Sequence, residues 1–168
     1  YQRDILGKRM TAEGLIYRMF ADNPERYEIT TAKAQELIFQ DIIIGIDFGG
    51  NKSKHAFVAT GILPKYKGIV VLASERHETD VTPTQLDKLF IDFLNRMIAM
   101  YGKVDYVYPD NAEQVLIRGF RSAAANAGLN VIIRDSKKIE IVDRIRLTSA
   151  LISQGRFFYT QDAHTLRD

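Results

Sequence analysis

The hydrophobic pattern sharpens at residue 42. Ile42-Ile43-Ile44-Gly45-Ile46 is nearly continuous, and then Asp47 and the pair Gly49-Gly50 interrupt it. A short apolar run of this kind predicts a buried strand, here over 42–48. Ala56-Phe57-Val58-Ala59 predicts a second strand over 55–60, punctuated by Gly61. Pro64-Lys65-Tyr66-Lys67-Gly68 is a turn, and Ile69-Val70-Val71-Leu72-Ala73 a third strand. The short connections predict an antiparallel meander. The period then changes. Thr82-Pro83-Thr84-Gln85 is a capping box with proline at the first helical position. Leu86, Leu89, Phe90, Phe93, Met97 and Ile98 follow at the spacing of one helix face, and Gly102 ends the helix. A strand over 104–108 leads to a helix over 112–127, with Val115, Ile117, Phe120, Ala123, Ala124 and Ala127 facing inward. A strand over 130–133, a helix over 137–154 and a short strand over 156–159 complete the series. The order β-β-β-α-β-α-β-α predicts an α/β fold: a mixed five-stranded sheet, three antiparallel strands plus parallel ones, with helices on both faces.

The first 40 residues have a weaker pattern. Residues 1–7 read as a helix end stopped by Gly7, 13–20 as a short apolar segment, and 23–27 as a loop. Residues 30–37 read as a short helix capped by Thr30 or Thr31. This region is expected to be an arm or linker leading into a domain spanning 41–168.

Composition narrows the chemistry. The 168 residues are 46% hydrophobic, enough for one core, and carry a net charge of only +2. With no cysteine, disulfide scaffolds and thiolate metal sites are excluded. Three scattered histidines do not suit a zinc site. No apolar run approaches the roughly 18 residues of a membrane span, so no membrane is expected as a partner. The chain starts at Tyr1 and is expected to be a fragment of a longer protein.

Two acids stand out against this background. Asp47 ends an apolar strand, and Asp110 follows another, in Tyr108-Pro109-Asp110. A carboxylate beside a buried strand needs a cation, hydrogen bonds or water. In a sheet of this order the two strands are neighbours, and two close carboxylates call for a cation between them. Hard oxygen ligands without sulfur suit Mg²⁺ or Mn²⁺, and a pair of such ions serves phosphoryl displacement. Plainer readings stay open: Asp47 capping the glycine turn, and Asp110 capping the next helix. Lys52, Lys54 and His55 suggest phosphate contacts near the metal, or a solvated hairpin. Arg134, Lys137, Lys138, Arg144 and Arg146 suggest a nucleic-acid contact, or a solvated face diluted by Asp135, Glu140 and Asp143. Glu113 lies one helical turn past Asp110, either supporting the site or simply favourable at a helix start.

The element order and the acids resemble the ribonuclease H-like superfamily. More closely, Gly45-Ile46-Asp47-Phe48-Gly49-Gly50, Tyr108-Pro109-Asp110 and the segment from Lys137-Lys138-Ile139-Glu140 to Arg144-Ile145 resemble the nuclease domain of the large terminase subunit of tailed double-stranded DNA bacteriophages. Ala12-Glu13-Gly14-Leu15-Ile16-Tyr17-Arg18-Met19-Phe20 is similar to the segment joining the packaging ATPase to that nuclease. The resemblance implies an endonuclease dependent on Mg²⁺ or Mn²⁺ that cuts concatemeric viral double-stranded DNA during packaging by a two-metal mechanism. It implies Asp47 and Asp110 as catalytic metal ligands, with Lys52, Lys54, His55, Lys137, Lys138 and Arg144 toward DNA. It further implies an ATPase domain in the same chain, a small terminase subunit and a portal protein as partners, and the cytoplasm of the infected bacterial host. The family's third acid lies in a motif like Asn-His-x-x-Asp-Ala on a C-terminal helix. That motif is absent here, so the domain is expected to be truncated at its C-terminus, with Asp162 and Asp168 the only late acids. The ATPase phosphate loop is absent too. Asp47 to Lys52 also resembles the first phosphate motif of actin-like and sugar-kinase ATPases. A junction resolvase or integrase of the same fold, or a noncatalytic DNA-binding domain, are further alternatives.

Overall fold

The computed structural model describes residues 17–50, 53–110, 113–136 and 141–167. Its six described strands form one sheet in the order β5-β4-β1-β2-β3-β6. β1 (Asp41–Asp47) is central. It pairs antiparallel with β2 (His55–Ile62) and parallel with β4 (Tyr106–Pro109). β2 pairs antiparallel with β3 (Ile69–His77), and β4 pairs parallel with β5 (Ile132–Ile133). The predicted meander and parallel strands are therefore present.

The sheet has six strands where the sequence predicts five. The short Phe157–Tyr159 strand, β6, joins the far edge, parallel to β3. Three apolar residues carry too little pattern to say which edge they extend. The crossover before it starts at the β5 edge and ends at the β3 edge. β3 also runs four residues past its apolar part. Ser74, Glu75, Arg76 and His77 stay in the ladder because β2 offers them partners as far as His55.

Alternation sorts the side chains onto two faces. Ile42, Ile44, Ile46, Phe57, Ala59, Val70, Leu72 and Val107 build the main core under α3 (Pro83–Tyr101) and α4 (Gln114–Asn126). α3 starts with the expected capping box, Thr82 Oγ1 accepting from the Gln85 N–H and Gln85 Oε1 from the Thr82 N–H. It stops at Gly102, whose φ of 89° a side chain would strain. Four phenylalanines tie sheet to helices: Phe57 lies 6.3, 5.8 and 6.4 Å from Phe90, Phe93 and Phe120. Phe90 and Phe120 stack at 4.3 Å. Val115 differs from expectation and is exposed; it sits in the first turn of α4, ahead of the packed stretch.

A smaller cluster on the opposite face gathers Tyr27, Val71, Ile152, Phe157, Tyr159 and Ala163. Here α5 (Ile141–Ser153) packs against α1 (Arg18–Asp22) and β6. Helices therefore lie on both faces, with α5 packed at the β6 end of its own. Residues 17–40, expected as an arm, pack into the domain instead. Tyr27, Ala34 and Phe39 are buried, and α2 (Thr31–Glu36) carries its expected cap, Thr30 Oγ1 accepting from the Lys33 N–H at 3.1 Å. The Ile29 N–H donates to the Tyr159 carbonyl. The predicted helix end at 1–7 lies outside the described residues. No described helix is long and apolar enough to cross a membrane.

Candidate active site

The β1–β4 register decides where the two acids go. Ile46 pairs with Pro109, and the Asp110 N–H donates to the Ile46 carbonyl at 2.8 Å. One residue further, Asp47 stands beside Asp110, on neighbouring strands about 4.8 Å apart. Ile46 and Pro109 are buried toward α3 and α4, so alternation turns Asp47 and Asp110 together to the other face. There Asp47 is exposed and Asp110 half-buried.

Both plainer explanations of these acids lose their support. The glycine turn does not need Asp47 as a cap. The Gly49 N–H donates to His55 Nδ1 at 3.1 Å, and the Gly50 N–H to Ser53 Oγ at 3.0 Å. Nor does Asp110 cap the helix, because the N-cap position of α4 is Glu113. Neither acid is in a salt bridge among the described residues. Two adjacent carboxylates on one face, in no salt bridge among the described residues, offer a donor set that would fit a hard divalent cation. Among the described residues no group of three or more His, Asp or Glu side chains converges on one ion.

The turn after Asp47 is tight for a nameable reason. A Cβ on Gly49 would run into the Ser53 carbonyl and come within 2.7 Å of the Lys54 carbonyl carbon, whereas one on Gly50 meets nothing among the described residues within 4 Å. Gly49→Ala should therefore destabilise the domain by about 1–3 kcal/mol, and Gly50→Ala should change it by well under 1 kcal/mol. Urea denaturation of the two variants checks this; equal midpoints would contradict the packing described here. The same hydrogen bonds bear on the phosphate-loop alternative. Both glycine N–H groups that such a loop would offer to a nucleotide are used inside the turn.

His55 was expected near phosphate. The structure instead buries it, at 6% exposure, on the α3–α4 face of the sheet, where it holds the turn through Nδ1. Burial lowers its pKa below the ordinary 6.5, and the facing His77 lowers it further, against the opposing pull of Asp47 and Glu113. The neutral ring is thus the folded form, with Nδ1 as acceptor. A folded pKa below the unfolded one makes the unfolded chain bind more protons in acid. The stability tied to neutral His55 is present above about pH 6.5 and lost as pH falls from there toward the lowered value. Chemical denaturation between pH 7.5 and 5 should show this fall, and His55→Gln should flatten it. An unchanged slope in that variant would count against the assignment.

The basic residues divide. Lys52, Lys137 and Lys138 lie outside the described residues. Lys54 is paired with Glu78 at 2.6 Å, and Arg146 approaches Asp143 at 3.6 Å. Arg144 is exposed on α5. Arg134 lies over the Tyr106 ring, 5.2 Å from its centroid. Glu75 bridges His77 at 2.8 Å and also Arg96, on the α3–α4 side of the sheet. Glu113 is exposed and makes no cap hydrogen bond, yet is close enough to act on His55. Tyr106 and Tyr108 also share this face, and the alternation Tyr106-Val107-Tyr108-Pro109-Asp110 is the sequence signal that places both tyrosines with Asp110.

No family model matches the chain, and no curated protein matches it. Solved structures do. The nuclease domain of the P22 large terminase is 15% identical, with a TM-score of 0.63 over 88% of this chain and 74% of that one. The human cytomegalovirus terminase nuclease domain is 8% identical, with a TM-score of 0.64 over 85% and 74%. The nuclease domain of the bacteriophage SPP1 large terminase, solved with bound Mn, is 18% identical, with a TM-score of 0.53 over 79% and 66%. The chain thus spans about two thirds to three quarters of the domains it matches. At these identities the likeness is one of architecture, and the chain has the ribonuclease H-like fold of the large terminase nuclease domains.

Proposed function

We infer that this chain is the nuclease domain of a large terminase, a metal-dependent endonuclease cutting concatemeric viral double-stranded DNA during packaging. One observation carries the reading: Asp47 and Asp110, side by side at the ends of parallel strands β1 and β4, face the same way, and neither is in a salt bridge among the described residues. Asp47 and Asp110 would hold Mg²⁺ or Mn²⁺. When bound, such ions supply a nucleophilic water near neutral pH and stabilise the charge of the displaced phosphate oxygen. The residues of the chain do the positioning. The Asp110 N–H to Ile46 hydrogen bond locks the two acids in register. Gly45, two residues before Asp47 on the same face, has no heavy atom of the described residues within 4 Å of where a side chain would begin, which leaves room there for a polyanion. The Mn-bound SPP1 domain and the Mn-soaked cytomegalovirus domain support the choice of metal. An ATPase domain in the same chain, a small terminase subunit and a portal protein as partners, and work in the infected host's cytoplasm, all follow from this reading.

Nicking of supercoiled plasmid tests it. Mg²⁺ or Mn²⁺ should support nicking and EDTA should abolish it. ATP hydrolysis with no nicking would favour the actin-like alternative, and DNA binding with neither activity the noncatalytic one.

A further inference from the structure

The acid face of β1, β4 and β5 carries more than the acids. Tyr106 and Tyr108 alternate with buried Val107 and Pro109, so both rings stand on the same face as Asp110. They lie 5.9 Å apart, tilted by 26°. Just past β5, the Arg134 N–H donates to the Val107 carbonyl at 2.9 Å, continuing the β4–β5 ladder. That places the exposed Arg134 side chain on this face too, with its guanidinium over the Tyr106 ring. The helix on this side, α5, packs on α1 and β6 at the other edge of the sheet. Tyr106, Tyr108 and Arg134 therefore form a half-exposed strip that leads along the strands directly to Asp110.

The strip's chemistry selects its occupant. Among the described residues Arg134 has no acidic partner, and neither tyrosine hydroxyl has a hydrogen-bond partner. A planar guanidinium with no carboxylate favours phosphate. Arg134 and Tyr108 already crowd Tyr106, so its ring offers little face for a stacked base. What remains for a ligand is a cation and two hydroxyl groups, a set that suits phosphate oxygens.

We propose that Tyr106, Tyr108 and Arg134 form the seat for the sugar–phosphate backbone of the DNA strand that runs away from the Asp47–Asp110 pair. The proposal rests on the nuclease reading for what lies at the end of the strip. Its own test is binding. Anisotropy of a labelled random-sequence duplex would be measured with the full chain in Ca²⁺, across a range of salt. Arg134→Gln should weaken binding about five- to tenfold at moderate salt and lower the salt slope by about one. Tyr106→Phe with Tyr108→Phe keeps the rings and should weaken binding about threefold to tenfold, with an unchanged unfolding midpoint. Duplexes of different sequence should respond alike. Affinity and salt slope within twofold of the parent in the Arg134→Gln protein would overturn the proposal. So would a parent chain that does not bind DNA. The two readings fail separately: normal binding losses with no metal-dependent nicking would remove the nuclease and keep the seat. Full nicking with no binding loss in these variants would do the reverse.

Discussion

Asp47→Asn should lower metal-dependent DNA cleavage by about a thousandfold or more while leaving the fold intact. A bound divalent cation stabilises the charge of a phosphoryl displacement by several kcal/mol, and about 4 kcal/mol of barrier is a factor of about a thousand. Asparagine keeps the size of the side chain but gives up the charge that holds the ion. Asp110→Asn should behave alike, and the double variant should be little worse than either, because ligands of one site act as a unit. Thermal unfolding supplies the control. Removing one of two adjacent like charges, exposed or half-buried and without ion-pair partners, should leave the midpoint unchanged or raise it. A variant that cleaves normally would remove Asp47 from the mechanism. One that loses activity only because it unfolds would leave the role undecided by that residue, and Asp110→Asn would then carry the test.

Phe57→Ala should be the most costly core substitution, at about 3–5 kcal/mol. Phe57 is fully buried near the start of β2, opposite Ile46 of β1. Its ring meets Phe90 and Phe93 of α3, Phe120 of α4 and the His77 ring of β3. Truncation leaves a cavity between sheet and helices that rigid aromatic neighbours cannot close. For a domain whose total stability is of order 5–15 kcal/mol, that is a large fraction, visible as a fall in unfolding midpoint on the order of 10 °C. Phe57→Leu should cost less, since it fills part of the space. A loss under about 1 kcal/mol for Phe57→Ala would mean that the core is packed differently.

Much of this architecture was legible in the chain. The apolar run ending at Asp47, the capping box at Thr82-Pro83-Thr84-Gln85 and the helical spacing of Leu86, Phe90, Phe93 and Met97 each state a local preference that the fold obeys. The adjacency of Asp47 and Asp110 follows once β4 is placed beside β1, which the element order suggests. Three things were hidden, each because it depends on distant contacts. Phe157–Tyr159 becomes a sixth strand only because β3 has a free edge to receive it. Tyr27, Ala34 and Phe39 look like linker residues in sequence and are buried by partners more than 20 residues away, such as Gly61, which has no side chain to obstruct Phe39. His55 lies in a polar, basic stretch and reads as a surface group. Strand alternation turns it inward, and the Gly49 N–H gives its ring a structural partner.

Whether Asp47 and Asp110 share metal can be read by anomalous diffraction at the manganese edge from crystals soaked in Mn²⁺. Anomalous density should lie between the two carboxylates, with oxygen distances near those of a hard divalent ion, about 2.0–2.3 Å, and none should be there in Asp47→Asn crystals. Manganese bound elsewhere with this pair empty, or carboxylates too far apart to reach one ion, would contradict a shared site.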